Sequence, residues 1–236
     1  MSIKGFDDWL ATSQGQYVLA WEKSKFDLLV SDIFGFNALQ LGLAQHDFLA
    51  ANRMPFKFRC DDRETLNVAV RGASWQLPFA SGSLDLVLMP HLLEFEAQPH
   101  RILREVERVL VPEGQVIVSG FNPYSLWGVR RKFARGGAPP PWRGQYLSVP
   151  RLKDWFALLS FETQAGAFGC YAPPVATELQ RWRLLELAGN RWWPIAGAAY
   201  IIRAIKRVHG MRLITPVWHR QGARAKALAP VAQCNE

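Results

Sequence analysis

Residues 84–119, LDLVLMPHLLEFEAQPHRILREVERVLVPEGQVIVS, decide the fold of this chain. The stretch begins with a continuous apolar run at residues 84–89, interrupted only by Asp85, which predicts a buried strand. Pro99 then stands at the first position of a helix whose apolar residues recur on one face. Gly114 releases the chain into a second apolar run. Strand, helix and strand at this length form one right-handed parallel crossover, so the sequence predicts a parallel sheet covered by helices.

The flanking segments extend this unit into a larger α/β sheet. Two helical patterns fill residues 1–36, with Ser24 as the expected N-cap of the second helix. Residues 37–43 are typical of a buried strand that runs into a tight turn. Downstream, the pattern predicts a helix opened by Pro150, then a strand, an added helix and a last strand.

A chain of 236 residues with 49% apolar and 20% charged residues fits one globular domain. We expect this domain to occupy residues 1–220, with residues 1–36 as a helical cap on the sheet. A Gly-, Pro- and Arg-rich stretch, residues 122–146, is too long for a simple connection and predicts a basic loop or lid. Residues 174–194 are expected to form a helical insertion, and residues 221–236 a disordered tail.

Positive charge is concentrated in two parts of the chain. The net charge is +8, and residues 115–153 and 201–235 each hold seven Lys or Arg residues and no Asp or Glu. Cys60, Cys170 and Cys234 are widely spaced, so we expect reduced thiols, no disulfide and no metal site. No run is long and apolar enough for a signal peptide or a membrane span. The sequence therefore predicts a cytoplasmic protein without a transmembrane segment.

Residues 77–120 resemble the central half of the class I S-adenosylmethionine-dependent methyltransferases, a broad group that includes small-molecule, quinone and lipid methyltransferases. Residues 108–114, RVLVPEG, are similar to the family's Arg-Val-Leu-x-Pro-Gly-Gly element, with Glu113 in place of a glycine. The resemblance implies a Rossmann-like, seven-stranded, mostly parallel sheet whose last strand is antiparallel. It also implies S-adenosylmethionine as the cofactor and methyl transfer as the activity.

The resemblance places the cofactor at the carboxyl ends of the strands, where open α/β sheets bind ligands. The residues that it assigns to the cofactor are Gln40, Gly42, Asp61, Ser74, Trp75, Gln76, Leu77, Pro90 and His91. Asp61 would bind the ribose hydroxyls, and residues 74–77 would border the adenine. Trp75 either stacks on that base or packs as a plug against the sheet edge.

The segment after the first strand departs from the family pattern. Gln40 stands where the family has an acidic residue, and the glycine-rich loop is reduced to Gly42. The chain between Asp61 and the predicted third strand, residues 66–72, is shorter than the dozen residues that a parallel crossover needs. Either the second and third strands form a hairpin, or the strand prediction is wrong there.

The resemblance and the basic loop together suggest the roles of the remaining residues. His91 is a candidate base, oriented by Glu94, or else a packing residue at the strand end. Acceptor contacts are expected from Tyr124, Trp127, Arg130 and Arg131. The leading hypothesis is a methyltransferase acting on an unidentified acceptor, for which anionic or amphipathic small molecules and lipids are candidates. The alternative is a degenerate, non-catalytic relative whose basic loop binds nucleic acid or a partner.

Overall fold

The computed structural model describes residues 5–62, 67–134, 139–174, 186, 189, 191 and 193–208. The helices of this part are α1 (Phe6–Leu10), α2 (Ser13–Ser31), α3 (Pro99–Val109), α4 (Leu126–Phe133) and α5 (Val149–Leu158). The strands are β1 (Asn37–Leu41), β2 (Phe56–Asp61), β3 (Val70–Arg71), β4 (Leu84–Pro90), β5 (Leu110–Phe121), β6 (Phe161–Gly169) and β7 (Ala199–Lys206). The predicted helical insertion falls almost wholly outside the described residues, and the predicted tail does so entirely.

The seven strands form one sheet in the order β3-β2-β1-β4-β5-β7-β6. All neighbouring pairs are parallel except the two that involve β7, which runs antiparallel to both β5 and β6. The predicted Rossmann-like sheet with an antiparallel last strand is therefore confirmed. The chain winds outward in one direction through β1, β2 and β3 and in the other through β4 and β5, so the sheet has its switch point between β1 and β4.

The predicted crossover from β4 to β5 is present. Pro99 is the first residue of α3, and the buried stripe of this helix packs on the sheet. That stripe consists of Ile102, Leu103, Val106 and Val109. Successive side chains of β1, β4 and β5 alternate between this core cluster and a second one on the other sheet face, which α1 and α2 cover.

The two N-terminal helices are present, but the break between them is not where the sequence predicted it. Helix α2 is continuous through Ser24, which was expected to be an N-cap. The cap is Thr12, whose Oγ1 accepts a hydrogen bond from the Gly15 N–H at 3.2 Å. Ser24 stays inside the helix because the packing of one long apolar face on the sheet outweighs its local capping preference.

The connection from β2 to β3 corrects a second expectation. β3 is only two residues long and pairs in parallel with β2, with Cys60 opposite Val70. The hairpin alternative is therefore wrong, because β3 runs parallel to β2 although the connection between them is very short. Turns and bends fill residues 44–51 between β1 and β2.

The basic stretch after β5 is partly helical. Ser125 caps α4 by accepting a hydrogen bond from the Gly128 N–H at 3.1 Å, so residues 126–133 form a helix rather than a loop. Among the described residues, no helix has both the length and the apolar character needed to cross a bilayer.

Candidate functional site

The carboxyl ends of β1, β2 and β4 lie side by side and bring the predicted cofactor residues to one edge of the sheet. The Gly42 N–H donates to the Cys60 carbonyl at 3.0 Å, which ties the turn after β1 to β2. The His91 N–H donates to the Ser119 carbonyl at 3.1 Å, which ties the end of β4 to β5. The strand order and these hydrogen bonds therefore place Gly42 and His91 at the switch point, with Asp61 at the end of the adjacent strand β2.

Gln40 shapes the turn after β1 instead of facing outward. Its side chain is fully buried, and its amide nitrogen lies 3.2, 3.1 and 2.8 Å from the carbonyl oxygens of Gly42, Leu43 and His46. Its amide oxygen accepts from the Phe48 N–H at 3.1 Å. A carboxylate cannot donate to carbonyl groups, so this loop requires the amide. Both ends of the Gln40 amide are therefore held by the backbone of the turn that follows β1.

Gly42 and Asp61 lie at the ends of adjacent strands, and their geometry is suited to a ligand site. Gly42 has φ +78°, a conformation that favours glycine, and Leu43 follows at φ +46°. Asp61 is 4% exposed, and its Oδ1 accepts from the Asp62 N–H at 2.7 Å. The tight turn and the carboxylate thus stand next to each other across the β1–β2 pair.

The segment after β3 forms a compact turn that carries Trp75 outward. The Gln76 N–H donates to the Ala73 carbonyl at 3.0 Å. Ser74 Oγ donates to Glu96 at 3.2 Å. Trp75 is 43% exposed, with the Arg101 guanidinium carbon 5.0 Å from its ring centroid. The indole therefore does not plug the sheet edge, and it lines a small cavity of about 190 Å³.

His91 is held between two buried carboxylates. Its Nδ1 lies 2.9 Å from Glu94 Oε2, and its Nε2 lies 2.9 Å from Glu22 Oε1 on α2. All three side chains are at most 2% exposed. The second oxygen of Glu94 accepts a hydrogen bond from the Phe121 N–H at the end of β5. One charged cluster therefore joins α2, the end of β4 and the end of β5.

The pKa of His91 follows from this setting. Burial lowers the pKa, but the two carboxylates outweigh burial and raise it from 6.5 to about 10. Burial also raises the pKa of Glu94, against the opposing effect of its hydrogen bond to His91. At neutral pH the imidazole is therefore protonated, with Nδ1 hydrogen-bonded to Glu94 and Nε2 at ion-pair distance from Glu22. It has no free lone pair to take a proton from a substrate, so this geometry favours packing and positioning over the role of a base.

The four residues expected to contact an acceptor divide into two groups. Trp127 is 1% exposed, stacks on Phe121 at 5.9 Å and donates its indole N–H to the Ala172 carbonyl at 2.8 Å, so it belongs to the core. Tyr124 is 68% exposed. Arg130 lies over the Trp142 ring at 4.6 Å, and Arg131 lies over the Tyr146 ring at 5.2 Å. The ring of Trp127 therefore packs in the core and is not exposed to an acceptor.

A larger cleft of about 610 Å³ opens between the N-terminal helices and the segment around residues 139–142. Its lining is mostly apolar and includes Trp9, Trp142 and Pro140, with Asp8 as the charged member. Trp9 also packs edge-on against Phe121 at 5.8 Å. The floor of the cleft is thus continuous with the aromatic side chains that cover His91.

Glu22 is the site residue that the sequence analysis missed. It lies on the buried face of α2 together with Val18, Phe26 and Val30. Because these positions recur at intervals of four residues, the sequence shows a carboxylate inside an apolar helical stripe. A buried acidic residue needs a partner. The position of Glu22 therefore indicated that a cationic side chain from a distant part of the sequence packs against it.

Comparison with known proteins matches part of the chain to methyltransferases. Residues 46–118 match the family described as "Methyltransferase domain". "Uncharacterized protein YafS" of Escherichia coli strain K12 is 32% identical over 137 residues, which make up 55% of this chain and 54% of that protein. An "Uncharacterized methyltransferase" of Mycolicibacterium gilvum is 40% identical over 58 residues, 25% of this chain and 21% of that protein. The matches therefore span about half or less of the length of these relatives.

Solved structures align over most of the chain. A SAM-dependent methyltransferase of Thermotoga maritima has a TM-score of 0.58 at 19% identity, covering 81% of this chain and 95% of that one. A SAM-dependent methyltransferase of Archaeoglobus fulgidus has a TM-score of 0.57 at 16% identity, covering 78% and 92%. A chain of the complex with the Haloferax volcanii Trm112 methyltransferase activator reaches 0.61 at 17% identity, covering 89% and 99%. The sheet order and these neighbours show that the chain has the fold of the class I methyltransferases.

Proposed function

We propose that the protein is an S-adenosylmethionine-dependent methyltransferase. The observation that carries the proposal is that the Gly42 turn, at the switch point of the sheet, lies next to the Asp61 carboxylate of β2. In open α/β sheets this is the place where nucleotide-like ligands bind. The match of residues 46–118 to the methyltransferase domain supports methyl transfer as the class of reaction.

The described residues fit the nucleoside half of the cofactor better than its amino-acid half. Asp61 offers carboxylate oxygens that can accept hydrogen bonds from ribose hydroxyls. The half-exposed ring of Trp75 is suited to stacking on adenine, beside Ser74, Gln76 and Leu77. Gln40 acts indirectly, because it holds the turn that would approach the methionine portion.

The cofactor, when bound, supplies an electrophilic methyl group on sulfur. The task left to the chain is to orient the acceptor and to exclude water. We assign orientation to the cleft beside Trp9 and Trp142, where Arg130 contributes positive charge at the rim. His91 and Pro90 would set the shape of the strand end facing the cofactor. This arrangement favours an anionic or amphipathic acceptor with an apolar body.

Calorimetric titration with S-adenosylmethionine and S-adenosylhomocysteine tests the proposal. We expect saturable one-site binding, weakened about tenfold or more in Asp61→Asn, because a hydrogen bond to a charged group contributes about 1.5–3 kcal/mol. Gly42→Trp should abolish binding by filling the turn. Asp27→Asn, which changes the same chemical group on the exposed face of α2, is the matched control. No heat signal at millimolar ligand would overturn the proposal.

A second candidate is a non-catalytic relative that uses its basic segment to bind nucleic acid or a partner. It is favoured by one observation: Gln40 and His91, two positions of the expected site, are closed on internal partners. Salt-dependent binding of single-stranded RNA without any cofactor binding would support this candidate over the enzyme.

A further inference from the structure

A set of large apolar side chains is exposed around α4. We call it the α4 face: Tyr124, Leu126, Val129, Phe133, Trp193 and Ile195. Each of these side chains is between 49% and 81% exposed. Leu126, Val129 and Phe133 lie at i, i+3 and i+7, so they share one side of the helix. The opposite side of α4 is used for packing, because Trp127 and Gly128 are buried.

The two segments that form the α4 face are fastened together. Asn122 accepts a hydrogen bond from the Tyr124 N–H at 3.0 Å. The Asn122 side-chain amide also donates to the Ile195 carbonyl at 2.6 Å and to the Gly197 carbonyl at 3.0 Å. The start of the α4 segment and residues 195–197 are therefore adjacent, with Tyr124 and Ile195 exposed beside this junction. Large apolar side chains gathered on the surface in this way indicate an interaction surface.

The charge around this face is positive. Arg130 and Lys132 are exposed residues of α4, and the sequence from 115 to 153 contains no Asp or Glu. The basic residues near β7 are used differently, since Arg207 pairs with Glu113 and Glu162 on the surface. The α4 segment thus combines exposed apolar residues with positive charge that no neighbouring acidic residue in the sequence offsets.

We propose that the α4 face docks onto an anionic lipid surface. Aromatic and aliphatic side chains that enter the headgroup region, next to basic residues that meet lipid phosphates, are the features of interfacial membrane binding. A nucleic acid would use basic and aromatic residues but would leave Leu126, Val129 and Ile195 in water. The docking is peripheral and does not depend on methyl transfer.

Co-sedimentation with lipid vesicles tests this proposal. The full chain is mixed with vesicles of phosphatidylcholine alone, or of phosphatidylcholine with one third phosphatidylglycerol. We expect binding to the anionic vesicles, weak binding to the neutral ones, and release as salt screens the phosphates. Absence of binding to anionic vesicles overturns the proposal. Binding of single-stranded RNA in place of vesicles also overturns it.

Matched variants locate the surface. Phe133→Ser should weaken vesicle binding about tenfold, because an inserted phenyl ring leaves water. Lys132→Gln should weaken binding to anionic vesicles about fivefold and leave neutral vesicles unaffected. Phe34→Ser is the matched control, because Phe34 is 76% and Phe133 81% exposed. Phe34 lies just before β1, away from the α4 face, so its substitution should change nothing. Equal loss in the two phenylalanine variants would overturn the assignment, and circular dichroism confirms that each is folded.

Discussion

Raising the pH from 7 to 9 should weaken the fold through His91. The folded-state pKa of this residue, about 10, lies above its ordinary value of 6.5. The folded state therefore binds the proton more tightly, and the stability gained is fully present below pH 6.5 and is lost as the pH rises toward 10. Each pH unit between the two values costs about 1.4 kcal/mol. The free energy of unfolding should thus fall by about 2–3 kcal/mol across this window.

Urea denaturation at pH 7 and pH 9 measures this loss, and variants isolate the contribution of His91. The slope should flatten in His91→Gln, which cannot titrate. In Glu22→Gln the loss of stability should end at a lower pH and be smaller, because Glu22 is the stronger of the two carboxylates that raise the folded-state pKa of His91. Asp27→Asn, on the exposed face of the same helix, should keep the parent slope. Other groups that titrate near pH 9 are common to all these proteins and cancel in the comparison.

A direct measurement is available in the unmodified protein. The assigned His91 ring resonances in an NMR titration should stay constant from pH 5 to pH 8.5, while an ordinary histidine changes near pH 6.5. A His91 that titrates near 6.5, or a stability slope that is unchanged in His91→Gln, would refute the reasoning. Either result would mean that the Glu22–His91–Glu94 cluster is not charged as described.

Three further substitutions should each give a defined loss in urea denaturation. Gln40→Glu replaces a buried donor to three carbonyl groups with a negative charge and should cost about 3 kcal/mol, whereas a protein of unchanged stability would contradict the donor role. Gly15→Ala normally strengthens a helix by about 1 kcal/mol, but here the new methyl would lie 2.2 Å from the Trp9 carbonyl oxygen, so we expect a loss of about 1–3 kcal/mol. Asp85→Ala removes the acceptor of the two N–H groups, each at 2.9 Å, that lead into β1 and should cost about 2 kcal/mol, with Asp85→Asn losing less.

The central crossover could be predicted because its signals are local. Three signals each depend only on nearby residues. They are the apolar run of β4, Pro99 at the start of α3, and Gly114 after this helix. The break between α1 and α2 depends on a competition instead. Ser24 has the chemistry of a cap, but a long apolar face on the sheet keeps the helix continuous, and no short window contains that information.

The site was predictable in position but not in its contacts. Asp61 and Gly42 follow from strand order, which the resemblance supplied. The partners of Gln40 are carbonyl groups of its own turn, and a sequence does not show which way a backbone carbonyl points. Glu94 lies three residues from His91 and was expected beside it, whereas Glu22 is brought there only by the docking of α2.

The Glu22–His91–Glu94 cluster also imposes an order on how the chain matures during synthesis. Glu22 is synthesised long before His91, and Glu94 has both of its partners only when the Phe121 N–H of β5 is in place. Until then, packing α2 would bury an unpaired carboxylate, which is costly. We therefore expect the N-terminal helices to dock only after the middle of the chain has been made. The first segment to be synthesised would then be among the last to pack, in contrast to a strictly N-to-C folding order.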